Sequence, residues 1–227
     1  MISVIIPTLN EEQALPQTLE ALGSQGEEHE IIVADAQSSD NTVNLAETSG
    51  CRVIDCKTKG RSAQMNQGAS VADGDILLFL HADTHLPEGA LASLVRAMED
   101  EKILGGGYAR RFHSRSPLLR FNAFCGSMRS RIFGLHFGDQ AMFVRRDAFE
   151  ELGGFPDLPA LEDIEFSRRL KKLGKVRTLK PTLVSSARRF EQRGVLAVSA
   201  SDIWLTLRFM FGADAGRLAS EYARRNS

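Results

Sequence analysis

Short runs of apolar residues alternate with amphipathic segments along the first hundred residues of the chain. The runs at 3–6, 30–33 and 75–80 are apolar after their first residue, which is typical of strands buried on both faces of a sheet. Leu15 and Leu19 follow helical spacing between the first two runs. The other elements predicted in this half are helices over 40–49 and 62–71, a strand over 51–55, and a helix with Pro87 in its first turn. This order predicts right-handed βαβ units and a doubly wound, mostly parallel sheet.

The second half of the chain has a less regular pattern. The elements predicted there are strands over 108–112 and 141–144, helices over 116–133 and 161–173, and C-terminal helices. No internal repeat or low-complexity linker interrupts the chain, so we predict one α/β domain, 1–227, with a mixed sheet flanked by helices. Within it we distinguish a first half at 1–100, a second half at 101–194 and a helical extension at 195–227.

Composition and charge restrict the classes of function. The chain has 227 residues, of which 43% are hydrophobic and 25% charged, as in ordinary globular enzymes. Its net charge of -1 argues against a nucleic-acid partner. The three cysteines form no CxxC pair, which favours buried thiols in the cytoplasm, and the N-terminus shows no signal-peptide pattern. The apolar stretch 195–211 contains Asp202 and Arg208, so it is a poor membrane span.

Polar residues follow the first two predicted strands at the edge where doubly wound sheets bind ligands. Pro7, Thr8, Asn10 and Glu11 form a loop that enters a helix, where free backbone N–H groups attract an anion. Simple helix capping by Thr8 or Asn10 is the alternative, and it is the stronger one when this loop is taken alone. Asp35 comes too early to cap the next helix, which favours a hydrogen bond to a base or ribose.

Two basic residues, Lys59 and Arg61, stand at a further helix entrance. Cations are unfavourable near a helix N-terminus, and a bound anion would remove the conflict. A solvated basic turn explains them equally well.

The apolar run at 75–80 ends abruptly in His81, Ala82, Asp83, Thr84 and His85. One carboxylate together with phosphate oxygens is a common way to hold Mg²⁺ or Mn²⁺, which makes Asp83 a candidate metal ligand. A plain turn is the alternative, and a zinc site formed with the two histidines is a weaker one.

Three carboxylates open the predicted helix at 161–173. Asp163 shares a helical stripe with Phe166 and Leu170, so we predict that it points inward, whereas Glu162 and Glu165 project elsewhere. A partly buried carboxylate is a reasonable general base. The remaining polar groups in this half, which are either functional or structural, are Asp139, Gln140, Arg188 and Arg189.

Taken in order, these segments resemble the family 2 glycosyltransferases of the GT-A fold. The similarity covers the first strand and loop, the segment 33–42 with Asp35, the DxD metal motif at Asp83 and the acidic pair Glu162 and Asp163. Segments 60–66, 138–140 and 186–190 are further similar to a small stand-alone bacterial subgroup associated with radical-SAM and selenium-related proteins.

The resemblance implies that the first half binds a nucleotide sugar, with UDP as the first expectation, and that the second half binds an acceptor. The implied donor side comprises Pro7, Thr8, Asn10, Glu11, Asp35, Lys59, Arg61, Ala82 and Asp83, and the implied acceptor side comprises Asp139, Gln140, Glu162, Arg188 and Arg189. Asp83 would ligate Mg²⁺ or Mn²⁺, and Asp163 would take the proton from the acceptor hydroxyl in a single inverting displacement.

Three departures from the family pattern stand out. His81 replaces the first acid of DxD, Ala36 replaces a frequent glycine, and the QxxRW motif of processive members is absent, which implies transfer of a single sugar. The rival predictions are a sugar-phosphate nucleotidyltransferase, which usually opens with a glycine-rich loop, and a non-catalytic nucleotide-binding protein.

The C-terminal extension, 195–227, carries an apolar stripe with interspersed arginines. Ile203, Trp204, Leu207 and Phe211 lie near helical spacing. Such a stripe predicts core packing or a homodimer contact first, and peripheral contact with the inner face of a membrane second.

Overall fold

The computed structural model describes residues 1–58 and 60–226, and for 188, 189 and 222–226 it describes the backbone alone. Lys59 and the side chains of Arg188 and Arg189, all predicted site residues, therefore lie outside the described residues. The strands are β1 Ile2–Thr8, β2 His29–Asp35, β3 Arg52–Asp55, β4 Ile76–Phe79, β5 Thr84–His85, β6 Ile103–Phe112, β7 Met142–Arg145 and β8 Lys175–Ser185. The helices are α1 Leu15–Gly23, α2 Thr42–Thr48, α3 Arg61–Ser70, α4 Ala90–Met98, α5 Pro117–Phe133, α6 Arg146–Glu151, α7 Glu162–Leu173, α8 Arg188–Arg193, α9 Val195–Met210 and α10 Ala215–Asn226.

These strands form one mixed sheet in the order β3-β2-β1-β4-β7-β6-β8-β5. The pairs β3–β2, β2–β1 and β1–β4 are parallel, as predicted for the first half. β7 runs antiparallel between β4 and β6, β8 is parallel to β6, and β5 is antiparallel to β8. The doubly wound, mostly parallel mixed sheet is therefore confirmed, and both halves of the chain contribute to it.

Apolar side chains fill both faces of this sheet. Val4 and Ile6 of β1 pack into one core cluster, and Ile5 between them packs into the other. Helices α1 and α4 cover the first cluster, while α3 and α7 cover the second. Because both faces are buried, the central strands are continuously apolar instead of alternating.

Several elements depart from the sequence prediction. The strand at 175–185 was not predicted, because its pattern of exposed and partly buried positions contains Pro181, a residue that argues against a strand. The short β5 and α6 were not predicted either. The prediction of Pro87 in a first helical turn was wrong, since α4 begins at Ala90 after Gly89, which has a left-handed φ of 72°.

The C-terminal helices are present, but much of their apolar surface is exposed. Val198 and Leu205 are the buried residues of α9. In contrast, Ile203, Trp204 and Phe211 are 60%, 54% and 89% exposed, so the predicted stripe is not part of this chain's core. No helix in the described part of the chain is both long and apolar enough to cross a membrane.

Candidate active site

The loops that follow β1 and β2 are hydrogen-bonded to each other at the carboxyl edge of the sheet. The Asn10 N–H donates to Ser38 Oγ at 2.8 Å, and the Asn10 carbonyl oxygen Oδ1 accepts from the Ser39 N–H at 2.8 Å. The Glu11 N–H donates to Thr42 Oγ1 at 2.8 Å. These bonds hold the predicted nucleotide loops as one unit.

Asp35 lies beneath this unit and is 2% exposed. Its carboxylate accepts hydrogen bonds from Thr8 Oγ1 at 2.9 Å, from the Ser38 N–H at 2.7 Å and from Ser38 Oγ at 2.5 Å. A carboxylate has about four acceptor positions, so one position is left for a ligand. Asp35 as a contact to the base stays a prediction.

The side chain of Gln64 links the carboxyl ends of β1 and β2. Its Nε2 donates to the carbonyl oxygens of Thr8 and Ala34, both at 2.8 Å. Asn66, on the same helix α3, exchanges two hydrogen bonds with the backbone of Phe155, at 2.8 and 2.9 Å. The helix that begins at Arg61 thus supports the donor loops and also binds the segment that leads to α7.

In the described part of the chain, four residues other than glycine have positive φ angles, and each is or lies within two positions of a predicted site residue. Asn10 and Gln37 are in the two donor loops, Ala141 precedes β7, and Leu161 directly precedes Glu162, with φ between 45° and 65°. Such conformations are unfavourable by about 1–3 kcal/mol each and cluster at functional sites.

The charges of three carboxylates act on His81 at the end of β4. Burial and the nearby Arg61 lower the pKa of His81, while the carboxylates of Asp83, Asp139 and Asp163 act in the opposite direction. Its Nε2 is shielded from solvent and has no hydrogen-bond partner. His81 and the predicted base Asp163 line one narrow cavity, so these two side chains are neighbours at the tip of β4.

Asp163 is held in place by the loop before β7. Its Oδ2 accepts a hydrogen bond from the Gly138 N–H at 2.7 Å, and it lines a narrow cavity together with Arg61 and His81. Glycine is required at 138, because a Cβ there would lie 2.8 Å from His81 Nε2.

The predicted partial burial of Asp163 agrees with the structure, but the prediction that Glu162 and Glu165 project away from the interior was wrong. Glu162 and Glu165 are 5% and 9% exposed, whereas Asp163 is only partly buried. Glu162 lies four residues before Phe166 and shares its buried row. Desolvation, followed by repulsion from Asp163, raises the pKa of Glu162, and Arg61, whose Nη1 is 3.7 Å from Oε1, opposes this.

Asp139 and Gln140 have different surroundings although they are adjacent. Asp139 Oδ2 forms a partly buried ion pair with Arg110, and Oδ1 is shielded from solvent without a hydrogen-bond partner. Gln140 is 0% exposed, and its amide is hydrogen-bonded to Arg129, to Ser130, to the Phe137 N–H and to a backbone carbonyl. Gln140 therefore holds the loop and does not line the acceptor side, contrary to the prediction.

Two arginines of the site were missed by sequence reasoning. Arg110 is 8% exposed, and with Arg111 it is one of two charged residues in the otherwise uncharged strand β6, which was the available signal. Arg129 lies 3.4 Å from the centroid of the Phe137 ring, and burial lowers its pKa to about 10. The sequence gives no comparable signal for Arg129, because an arginine within a predicted helix is common.

The residues at the β4 tip fit a divalent cation that is bound partly by its substrate. Among the described residues, no three His, Cys, Asp or Glu side chains are grouped so that they could hold a metal ion. Mg²⁺ and Mn²⁺ are commonly held by one or two carboxylates and phosphate oxygens. The partly buried Asp83 and the unpartnered Oδ1 of Asp139 provide such carboxylates.

Comparison with known proteins adds a sequence match to this geometry. Residues 3–153 match the family model described as glycosyl transferase family 2. The 4,4'-diaponeurosporenoate glycosyltransferase of Staphylococcus haemolyticus is 36% identical over 112 residues, which are 46% of this chain and 30% of that protein. The undecaprenyl-phosphate 4-deoxy-4-formamido-L-arabinose transferase of Proteus mirabilis is 29% identical over 157 residues, which are 63% of this chain and 48% of that protein. The chain thus spans half or less of these two relatives.

Solved structures show the same fold. The mannosyltransferase PcManGT of Pyrobaculum calidifontis, in complex with GDP-Man and Mn²⁺, has a TM-score of 0.72 and 20% identity over 96% of this chain and 66% of that one. S. aureus TarS in complex with UDP-GlcNAc has a TM-score of 0.66 and 19% identity over 82% of this chain and 58% of that one. These likenesses confirm the predicted GT-A type architecture.

Proposed function

Because the chain belongs to glycosyl transferase family 2, we propose that it transfers one sugar from a nucleotide-sugar donor to an acceptor hydroxyl. The observation that carries this proposal is the cavity lined by Arg61, His81 and Asp163, together with the two hydrogen-bonded loops that follow β1 and β2. In this proposal the departing diphosphate would lie near Asp83 and the attacking hydroxyl near Asp163. On segments 60–66, 138–140 and 186–190 we also assign the chain to the small stand-alone bacterial subgroup described above.

The donor is proposed to be a UDP-sugar held by the first half of the chain. Pro7, Thr8, Asn10, Glu11 and Asp35 would line the nucleotide, with the remaining acceptor position of Asp35 facing the base. Lys59, Arg61 and Ala82 would lie near the diphosphate. Two structural neighbours are named for UDP-GlcNAc and GDP-Man, so GDP is the competing nucleotide.

Asp83 would hold Mg²⁺ or Mn²⁺ at the tip of β4, with Asp139 as the nearest additional carboxylate. When bound, the cation would neutralise the charge that develops on the leaving diphosphate. Arg61, at the entrance of α3, places a further positive charge beside this position.

Asp163 is the proposed general base, with Asp139, Glu162, Arg188 and Arg189 on the acceptor side. The Gly138 N–H orients one carboxylate oxygen, and the other accepts from the Ile164 N–H at 2.8 Å. The acceptor oxygen forms a bond to the anomeric carbon while the bond from that carbon to the diphosphate oxygen breaks. The electron pair leaves with the diphosphate, and the hydroxyl proton passes to Asp163. This single displacement inverts the anomeric centre.

The test is donor hydrolysis and transfer by Asp163→Asn. We expect kcat to fall about 10²- to 10⁴-fold, as for loss of a general base, while UDP binding is unchanged. Asp157→Asn, an exposed carboxylate in the preceding loop, is the matched control. Full activity of Asp163→Asn would exclude it as the base. A wild-type protein that binds nucleotide but neither hydrolyses nor transfers any UDP- or GDP-sugar would instead be a non-catalytic nucleotide-binding protein.

Metal use has its own test, because a ligand that binds the native state raises the melting temperature. We expect UDP to stabilise the wild type more strongly with Mn²⁺ than without it, and this difference to disappear in Asp83→Ala. Stabilisation that is independent of both Mn²⁺ and Asp83 would rule out the metal-assisted mechanism.

We also propose that α9 makes peripheral contact with the inner face of a cytoplasmic membrane. Trp204, Leu207 and Phe211 are exposed, and Arg208 lies beside Trp204, with its guanidinium 5.9 Å from the ring. An exposed apolar surface suits the lipid interface, while Arg208 is ion-paired with Glu221 at 2.5 Å and would exchange this partner for an anionic lipid. Anionic vesicles should sediment the wild type but not the double variant Trp204→Ser/Phe211→Ser. Equal sedimentation of both proteins would refute membrane contact through these residues. A concentration-dependent dimer that the double variant abolishes would replace membrane contact with the alternative, a homodimer.

A further inference from the structure

A cavity of about 450 Å³ lies at the sheet edge formed by β5, apart from the donor loops. Its lining includes Arg111, Arg115, His85 and His113, and we call it the basic cavity. Ligand pockets in proteins usually have volumes of about 300–1,000 Å³, so the basic cavity is large enough for a small molecule.

The lining of the basic cavity contains two arginines and two histidines but no Asp or Glu. Arg111 and Arg115 are both exposed, and no hydrogen bond or ion pair joins either guanidinium to another described residue. Most other arginines near the site are paired, as Arg110 is with Asp139. The basic cavity therefore presents two uncompensated positive charges from one short segment at the end of β6.

The sheet register separates the basic cavity from the proposed reaction centre. Arg111 of β6 and His85 of β5 are both in register with Val184 of β8, so these three residues share one face of the sheet. The neighbouring Arg110 points to the opposite face, where it pairs with Asp139. An anion in the basic cavity would thus leave the position of the donor diphosphate free.

We propose that the basic cavity binds a phosphomonoester group. Guanidinium groups bind phosphate through two parallel hydrogen bonds, and two arginines match the double charge of a phosphomonoester better than the single charge of a carboxylate. The apolar Leu86 and Val184 in the same lining would contact the carbon atoms that carry the phosphate. The phosphate belongs either to a soluble molecule or to a lipid headgroup.

The first experiment is calorimetric titration with glycerol 3-phosphate at saturating UDP and Mn²⁺, with glycerol as the ligand that lacks the phosphate. We expect binding of glycerol 3-phosphate alone, and a Kd about tenfold higher for Arg111→Gln/Arg115→Gln, which corresponds to about 1.4 kcal/mol. Arg120→Gln is the matched control, because Arg120 is exposed and lies on α5 outside the basic cavity. Its Kd should equal that of the wild type.

A second arm identifies the source of the phosphate. Phosphatidylcholine vesicles with and without phosphatidic acid replace the soluble ligand, and membrane binding that needs phosphatidic acid, Arg111 and Arg115 assigns a lipid headgroup. Glycerol 3-phosphate binding without vesicle binding assigns a soluble ligand.

The proposal is overturned if neither ligand binds, if the double variant binds as well as the wild type, or if UDP displaces the phosphomonoester. The last result would place the anion in the donor site. Should the double variant not fold, the NMR signals of His85 and His113 in the wild type decide, because they must shift during the titration if the phosphate enters the basic cavity. Nucleotide binding is measured separately, so failure here leaves the proposed glycosyl transfer intact.

Discussion

Gln64 offers the sharpest test of how the donor loops are supported. Its Nε2 donates to the carbonyl oxygens of Thr8 and Ala34 in the interior, so Gln64→Leu keeps the approximate volume but removes both hydrogen bonds. The Thr8 carbonyl would still accept from the Ala36 N–H at 3.0 Å. Both carbonyls also belong to the β1–β2 pairing, which continues to Thr8 and Asp35, so the loss is the two hydrogen bonds from Gln64.

The expected size of the effect follows from these contacts. A buried hydrogen bond contributes about 0.5–1.5 kcal/mol, so we expect Gln64→Leu, which loses two, to lose about 1–3 kcal/mol of unfolding free energy. For a chain of this size that corresponds to a decrease of about 2–12 °C in melting temperature. UDP binding should weaken too, because both donor loops start at these strand tips.

Gln67→Leu is the control, since Gln67 lies on the same helix and no hydrogen bond of its side chain is found among the described residues. Thermal unfolding followed by circular dichroism, and titration with UDP, would compare the two variants. Equal melting temperatures and equal UDP affinities would refute the supporting role of Gln64.

Three further predictions concern burial and packing. Glu162→Gln should be more stable than the wild type at neutral pH. The pKa of Glu162 is raised above 4.5 in the folded protein, so the stability of the wild type falls as the pH rises past that value. The difference in melting temperature between the variant and the wild type should therefore widen from pH 4.5 upward. Gly138→Ala should lower kcat about tenfold or more, because its Cβ would lie 2.8 Å from His81 Nε2 and displace the loop that orients the base. Phe166→Ala should lose about 3–5 kcal/mol in urea unfolding, because its ring is fully buried and its centroid lies 4.4 Å from that of Phe155.

Each of these predictions has a contrary outcome. If the difference in melting temperature between Glu162→Gln and the wild type stays constant with pH, Glu162 is not desolvated as described. Gly26→Ala, where a Cβ meets nothing within 4 Å, is the control for Gly138, and equal activities of the two alanine variants would contradict the steric argument. A loss below about 1 kcal/mol for Phe166→Ala would be too small for a packed core position.

The first half of the fold was predictable because its strands are buried on both faces. Continuous apolar runs identified β1, β2 and β4, and the rule for parallel sheets then placed Asp35 and Asp83 at one edge. The strand β8 was not predictable in this way, because only part of it is buried and its pattern resembles that of a loop.

The orientation of α7 shows a second limit of sequence reasoning. Spacings of three and of four residues both place side chains on one helical face, so Phe166 is compatible with either Asp163 or Glu162 as its buried neighbour. The prediction chose Asp163, whereas the protein buries Glu162 beside Arg61. No local pattern contains the left-handed conformation of Leu161 before the helix. Nor does it contain Arg61, the partner of Glu162, which lies 101 positions earlier in the chain.

The position of β7 between β4 and β6 has a consequence for how the chain folds during synthesis. A ribosome that has released the first hundred residues has produced β4 but not the strand that pairs with its outer edge, which comes only at Met142–Arg145. Until then β4 exposes unpaired backbone groups, the kind of edge that recruits other chains. We therefore expect residues 1–100, made alone, to aggregate rather than to behave as a portable module.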